Sequence, residues 1–219
     1  MHRIAAALII ITLMLAAAVS ADAEELIGRL EYSGGGDWYA NPTSLPNLLE
    51  FAGEHTNLDL PRREVNVKPG ARELHSFAYV HATGHGRISF SAEEARNLRE
   101  YLLGGGFLHV DDNYGLDESF REEIRKIFPD RQLVELPFSH PIYHCFFDFP
   151  DGLPKIHEHD GGPPGGYAIV HEGRVVLFYS HNTDLGDGWE SLEVHDNPEK
   201  VRLQALRMGT NLLVYALSR

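Results

Sequence analysis

The feature that most constrains the fold is an alternation of short apolar runs, bounded by glycine, with longer amphipathic segments. Apolar runs of this length indicate buried strands, and the amphipathic segments between them indicate helices that cover a sheet. Alternation of the two is typical of a largely parallel sheet with helices on both faces. The sequence therefore predicts an α/β fold, and it contains no internal repeat or linker that would divide the domain.

The predicted strands and helices succeed one another along the chain. Strands are predicted at residues 27–32, 65–67, 77–82, 107–110 and 132–136, and a hairpin at residues 167–170 and 175–179. Helices are predicted at residues 43–55, 91–103 and 118–127, and a C-terminal helix begins with Asn197 as its N-cap and Pro198 in its first turn. Ser91 and Glu94 have the spacing of a capping box.

The N-terminus has the features of a secretory signal. Arg3 precedes an apolar run at residues 4–19, and small residues follow where a signal peptidase would cut. The run is shorter than the roughly 20 residues that span a bilayer, although an uncleaved anchor is the alternative. We expect residues 1–23 to be a signal peptide and residues 24–219 to form one periplasmic or secreted domain without stable membrane insertion. Cys145 is the only cysteine, so an intramolecular disulfide is excluded.

The charge of the chain makes nucleic acid an unlikely partner class. Lysine and arginine total 19 against 32 acidic residues, which gives a net charge of −13, and the basic residues are scattered. A sequence-independent grip on nucleic acid needs a basic stripe that this chain lacks. Histidine is unusually frequent, with 13 copies, many of them beside glycine or an acid. This excess predicts a polar or metal-binding site.

The loops that follow the predicted strands carry most of the polar groups. In open α/β sheets these loops meet at the carboxyl ends of the strands, where ligands bind. His85, Asp111 and Asp112 are the candidate catalytic residues, with one of the two acids as a general base or a further metal ligand. Capping of the next helix is the alternative role for such acids. Candidate ligand-binding residues on the same rim are Asp37, Trp38, Asn113, Tyr114, Asp184 and Asp187.

A second group of polar residues lies in the irregular segment 137–166, a length of loop that is usually functional in a compact domain. In an extended chain, His157 and His159 would point the same way, about 6.6 Å apart. Imidazole with carboxylate suits zinc, manganese, iron or nickel, so a divalent transition metal is the expected cofactor. Hydrogen bonds that tie down the loop are the alternative role. The candidate metal ligands are His140, His144, His157, Glu158 and His159.

The sequence lacks the motifs of several classes of enzyme and binding site. The chain has no Gly-x-Ser-x-Gly elbow, no P-loop and no zincin helix. Residues 184–190 lack the ligand spacing of an EF-hand and are predicted to form a turn ordered by Asx hydrogen bonds, with Trp189 packed over it. Cys145 lies between a histidine and two phenylalanines, so we expect a small buried side chain and not a nucleophile.

Six polar segments resemble the bacterial family known as domain of unknown function 4159. They are DWYANPTSL at 37–45, TGHG at 83–86, GGFLHVDDNYG at 105–115, HPIYH at 140–144, GLPKIHEH at 152–159 and DLGDGWE at 184–190. The resemblance covers essentially the whole chain after the signal. It implies a flavodoxin-like fold similar to the class I glutamine amidotransferase-like group, with a C-terminal hairpin and helix added, and it implies no established activity.

The amidotransferase comparison can be tested on the residues after the central strand. Those enzymes place a nucleophilic cysteine there, whereas this chain has Asp111 and Asp112. Glutaminase activity is therefore not expected. Related trehalose-utilisation-like proteins share the Gly-Gly-Gly-Phe start of the same strand, which implies a carbohydrate or another small polar ligand.

We expect an exported protein that binds a small polar ligand at the rim of the sheet and hydrolyses it with the help of a metal. The alternative is a non-catalytic binding or scaffold protein of the cell envelope with a protein partner. The resemblance implies this alternative, which would fit members of the family that occur beside envelope-associated ATPase and von Willebrand-type proteins. An enzyme needs open coordination positions at a pocket. A scaffold needs a hydrogen-bond partner for every imidazole.

Overall fold

The computed structural model describes residues 26–157 and 161–218, which form a seven-stranded sheet of order β2-β1-β3-β4-β7-β6-β5. The expected signal peptide and two expected metal ligands, Glu158 and His159, lie outside the described residues. The strands are β1 (Leu26–Leu30), β2 (Val65–Val67), β3 (Phe77–Ala82), β4 (Phe107–Asp111), β5 (Val134–Glu135), β6 (Gly165–His171) and β7 (Arg174–His181).

The sheet is mostly parallel, as the alternation of segments predicts. Strands β2, β1, β3, β4 and β7 run in one direction. Strand β6 runs against β7, and the edge strand β5 runs against β6 and so in the direction of the parallel strands. The β6–β7 hairpin turns through Glu172 and Gly173, whose φ angles of 50° and 78° are those of the type I′ turn that matches strand twist. The chain is therefore an α/β protein with a mixed sheet.

Helices cover both faces of the sheet. Helices α2 (Ala92–Leu103) and α3 (Asp117–Ile127) pack on one face, and α1 (Ser44–His55), α4 (Leu185–Trp189) and α6 (Glu199–Leu217) pack on the other. A short helix α5 (Leu192–His195) lies between α4 and α6, and 3₁₀ turns occur at Arg72–Ser76 and Pro141–Tyr143. None of the helices in the described part of the chain is long and apolar enough to cross a membrane.

The helix starts show where the sequence patterns hold and where they fail. The capping box is confirmed, because Ser91 Oγ accepts from Glu94 N at 3.2 Å and Glu94 Oε2 accepts from Ser91 N at 2.7 Å. The predicted Asn197 cap is wrong: Pro198 directly precedes α6, and the Asn197 side chain instead contacts His157 and the Asp187 carbonyl. Residues 185–189 form α4 where a turn was predicted.

One face of the central strands carries a row of polar side chains under α4. Side chains alternate along a strand, so the residues that share the face of Tyr79 and Phe107 include His81, His109 and Ser180. Register places His81 beside His109 and Asp111 beside Ser180. This row leads from the apolar core to the carboxyl ends of the strands.

Replacement of two glycines by alanine is expected to change the free energy of unfolding in opposite directions. A Cβ on Gly106 would lie 2.1 Å from the ring of Tyr101, whose hydroxyl is fixed by both polar backbone groups of Phe107. We expect Gly106→Ala to lower the free energy of unfolding by about 1–3 kcal/mol. Gly53 lies inside α1 with nothing within 4 Å of its Cβ position, so Gly53→Ala should raise it by about 0.5–1 kcal/mol.

Urea titration followed by circular dichroism measures both changes, with Gly53→Ala as the matched control for the substitution itself. A Gly106→Ala protein as stable as the wild type would contradict the close packing of Tyr101 against the start of β4.

Candidate functional site

Four carboxyl groups gather at the carboxyl ends of β4 and β7. Asp111 ends β4 and Asp112 follows it, while Asp184 precedes α4 and Asp187 lies within it. Each of the four residues is at most 7% exposed. Because β4 and β7 are neighbouring parallel strands, the loops after them meet at one edge of the sheet.

Asp111 is held by three hydrogen bonds from the protein. Its Oδ1 accepts from Ser180 Oγ at 2.5 Å and from the amide of Leu185 at 3.2 Å, and its Oδ2 accepts from the amide of Gly186 at 2.7 Å. Burial raises the pKa of Asp111 to about 7 in spite of these donors. Since both oxygens are occupied, Asp111 anchors the first turn of α4.

Asp184 and Asp187 have opposite protonation preferences. Burial, together with the charges of Asp111 and Asp187, raises the pKa of Asp184 to about 9. Burial also opposes ionisation of Asp187, but hydrogen bonds from His157 and Asn41 and the nearby His195 hold its pKa below the usual value. The cluster therefore contains one carboxyl group that favours the neutral form beside one that favours the charged form.

His157 is oriented from two sides. Its Nδ1 lies 2.9 Å from Asp187 Oδ2 and 3.7 Å from Asp184 Oδ2, and its Nε2 lies 3.1 Å from Asn197 Oδ1. The hydrogen bond to Asp187 is the main reason that its pKa is raised. His195 stands edge-on to the His157 ring, with its Nε2 3.8 Å from Asp187 Oδ2. Two imidazoles thus converge on one carboxylate.

The ligand atoms of His157, Asp187 and His195 all lie within 4.8 Å of one another. Two imidazole nitrogens and a carboxylate oxygen are a donor set for zinc, manganese, iron or nickel. An outer hydrogen bond such as that from His157 to Asn197 is the usual way to fix the tautomer of a metal-binding imidazole. The residues present therefore fit a divalent transition-metal ion.

The segment that follows β1 meets the α4 region at this cluster. Asn41 Nδ2 donates to Asp187 Oδ1 at 2.6 Å, and Glu190 accepts from both the amide and the hydroxyl of Thr43. Arg29, buried in β1, donates to the carbonyls of Ala40 and Asn41. The segment between β1 and α1 is thereby fixed against α4.

A second group of potential ligands comprises Asp112, Asp117 and His181. His181 Nε2 lies 3.7 Å from a carboxylate oxygen of each acid. The same Asp117 oxygen already accepts from Arg121 Nε and from Tyr179 OH, both at 2.7 Å. Because the guanidinium neutralises this carboxylate, the group is a weaker candidate for a cation than the first.

Asp37 and His85 form a pair across the gap between the loops after β1 and β3. Asp37 Oδ2 lies 3.1 Å from His85 Nδ1, and Asp37 Oδ1 accepts from the His85 amide. About half of the His85 side chain is exposed. Trp38 packs partly against the core, whereas Tyr39 and Tyr114 are exposed. This pair gives the rim an oriented imidazole.

Two polar groups of the rim are buried without a hydrogen-bond partner among the described residues. They are the hydroxyl of Thr83, which follows β3, and the whole side-chain amide of Asn113, which is 1% exposed. Buried polar atoms of this kind are rare in folded proteins and concentrate at functional sites.

His140 and His144 are not brought together with His157. The ring of His140 lies 5.8 Å from the ring of Tyr215, at a tilt of 50°. The Tyr215 hydroxyl accepts from the amide of Val175 at the opposite end of β7. His144 has partners at both ring nitrogens, Asp148 Oδ1 at 2.5 Å and the Phe138 carbonyl at 2.7 Å. Within residues 26–157 and 161–218, neither belongs to a group of three ligands close enough to share an ion.

Asp187, expected to bind a ligand, belongs to the first ligand group. His195, for which the sequence leaves open a role in the site or at the start of the following helix, belongs to the same group. Other site residues were outside the predicted set. His81, His109 and Ser180 form the row beneath Asp111. A signal for them existed, since histidine in a strand that is otherwise apolar requires a buried polar partner.

Cys145 differs from its predicted environment. The residue is exposed, contrary to the expectation of a buried side chain. Its sulphur nevertheless lies 3.2 Å from the carbonyl oxygen of Asn211, and partial burial of the thiol raises its pKa to about 11. A thiol with so high a pKa is a poor nucleophile.

Comparison with known proteins identifies a family and no activity. No curated protein matches the chain. The model of the family described as domain of unknown function DUF4159 matches residues 26–217, so the chain belongs to the DUF4159 family.

Proposed function

We propose that the protein binds a divalent transition-metal ion through His157, Asp187 and His195 and uses it to hydrolyse a small polar ligand held at the rim of the sheet. The observation that carries the proposal is the convergence of both imidazoles on Asp187, with His157 fixed from behind by Asn197. Such an ion polarises the bond to be broken and activates water. Activated water would supply the nucleophile, a role for which the thiol of Cys145 is poorly suited because its pKa is raised to about 11.

The residues of the rim supply the remaining roles. Asp37 holds the Nδ1 side of His85, which leaves Nε2 as the proton acceptor of a general base. Thr83 lies close to the ligand group, since a Cβ added to Gly186, the residue before Asp187, would lie 3.7 Å from the Thr83 hydroxyl. His85 is only two residues beyond Thr83, a chain length of about 7 Å. The pair and the ion would therefore face one crevice.

The strand order supports a finer description of the fold within this proposal. The parallel strands follow the order β2-β1-β3-β4-β7, which corresponds to the 2-1-3-4-5 winding of flavodoxin-like proteins. In that winding, ligands bind where the order reverses, between β1 and β3, and the Asp37–His85 pair follows these two strands. A glutaminase remains outside the proposal, because β4 leads to Asp111 and Asp112 and not to a cysteine.

The ligand is proposed to be a small polar molecule, with carbohydrate as one class. The exposed rings of Tyr39 and Tyr114 offer apolar surface beside polar groups, an arrangement that suits a sugar. The competing candidate is a non-catalytic binding or scaffold protein of the cell envelope. It is favoured by His144, whose two nitrogens both have protein partners, as in a loop tied down for structural reasons.

Metal analysis separates the two candidates. Protein purified without a histidine tag, incubated with zinc and dialysed, should hold about one ion per chain by inductively coupled plasma mass spectrometry. His157→Ala and His195→Ala remove direct ligands, so each should weaken zinc binding by more than the about 10- to 100-fold that outer partners contribute.

His144→Ala is the matched control, because it also removes a histidine paired with an aspartate but lies outside the ligand group. It should retain the zinc content of the wild type. Equal zinc content in His157→Ala and the wild type, or no zinc in either, would reject the metal-dependent function in favour of the scaffold.

The reactivity of Cys145 tests whether the protein uses a cysteine nucleophile. With a thiol pKa of about 11, alkylation by iodoacetamide at pH 7 should be on the order of 100-fold slower than that of glutathione. Intact-mass spectrometry reports the rate cleanly, since the chain has one cysteine. Alkylation as fast as that of glutathione would identify an activated thiol and reopen cysteine chemistry.

Export is part of the proposal and rests on the apolar segment at residues 4–19. The chain expressed in a bacterial host with its own N-terminus should be recovered with a mature N-terminus between Ala21 and Glu25, as measured by mass spectrometry. Recovery of the protein with Met1 intact would contradict a cleaved signal.

A further inference from the structure

A continuous chain of hydrogen bonds runs from the core of the sheet to Asp111. Tyr79 OH and His81 Nδ1 each lie 3.0 Å from His109 Nδ1, and His109 Nε2 lies 2.8 Å from Ser180 Oγ. Ser180 Oγ in turn lies 2.5 Å from Asp111 Oδ1. All five residues are fully buried. No step of the proposed hydrolysis uses the first four of them.

The direction of the chain follows from the ionisation of Asp111. When Asp111 is ionised, its Oδ1 accepts the Ser180 hydroxyl proton, since that contact of 2.5 Å is shorter than the 3.3 Å from Ser180 Oγ to the Val110 carbonyl. Ser180 Oγ then accepts from His109 Nε2–H. His109 Nδ1 is then the acceptor, and its one lone pair is shared by the Tyr79 hydroxyl and His81 Nδ1–H. Burial lowers the pKa of His109 to about 3, which keeps the ring neutral and able to play both roles. Every donor in the row then points toward Asp111.

We propose that His109 and Ser180 are positioning residues that lock the Asp111 carboxylate in the orientation that places Asp187 opposite His157. This inference rests on the proposed function, because its effect is on the geometry of the ion site. Asp111 Oδ2 receives the amide of Gly186, the residue directly before Asp187. The orientation of the Asp111 carboxylate thus sets the position of the backbone that carries Asp187.

The packing around Asp111 shows why the serine hydroxyl matters. Without it, Oδ1 would keep only the 3.2 Å bond from Leu185, and the carboxylate could rotate about its last bond. Gly186 is packed closely against this carboxylate, since a Cβ added to Gly186 would lie 3.2 Å from Asp111 Oδ2. Burial of two neutral histidines in an apolar core lowers the free energy of unfolding compared with leucine or valine at the same positions. Residues that lower stability in this way are typical of functional sites.

Cobalt(II) titration tests the inference, because the visible absorption of bound cobalt reports both affinity and coordination geometry. Ser180→Ala should weaken cobalt binding by about tenfold, the scale of an outer-partner effect, and change the visible spectrum. Ser180→Thr keeps the hydroxyl and should restore both. The matched control is Ser119→Ala, which removes an equally buried hydroxyl from α3, on the opposite face of the sheet.

Urea unfolding of the metal-free proteins separates positioning from stability. Ser180→Ala and Ser119→Ala should lose similar free energies of unfolding, while only Ser180→Ala alters the cobalt spectrum. A Ser180→Ala protein with the affinity and spectrum of the wild type would overturn the inference and leave the proposed function intact. A wild-type protein that binds no cobalt would overturn both.

A second pair of variants, at His109, tests the hydrogen bond from His109 to Ser180. This test does not require that Ser180→Ala folds. His109→Gln keeps an N–H donor near the Nε2 position, whereas His109→Leu has no donor. Cobalt affinity should fall in the order wild type, His109→Gln, His109→Leu. Equal affinity in the two His109 variants would overturn the role of the donor.

Discussion

The site depends on one buried carboxylate that accepts three hydrogen bonds. Asp111 receives Ser180 from the neighbouring strand and two amides from the start of α4, so it joins the sheet to the helix that carries Asp187. A helix of five residues has too little internal hydrogen bonding to be stable alone. Its position is therefore a property of β4 and β7.

The charges around Asp111 determine which kind of ligand this region favours. Four acids crowd together with few cations, because Arg121 is engaged by Asp117 and Lys155 donates to the carbonyls of Gly162 and Asn182 and to the Asn182 side chain. Burial and the charges of the neighbouring acids raise the pKa of Asp184 to about 9, while His157 and His195 help to hold the pKa of Asp187 below its usual value. A site of this composition favours a cation and disfavours an anionic ligand.

Local patterns predicted the fold well and the site in part. The strands, the capping box and the gathering of loops at one edge follow from periodicity and from the rules for parallel sheets. The pairing of His157 with Asp187 and His195 does not, because it depends on how the loop before β6 returns to α4. Asn197 has the pattern of a helix cap, but a tertiary contact with His157 takes its side chain.

The bond between Asn41 and Asp187 joins residues 146 positions apart, and Thr43 with Glu190 spans 147. Contacts this distant in sequence cost loop-closure entropy before they contribute to stability. Asn41 can hold the Asp187 carboxylate of the ligand group only when the segment after β1 is packed against α4. An ion bound there would stabilise the finished fold over its partly folded precursors.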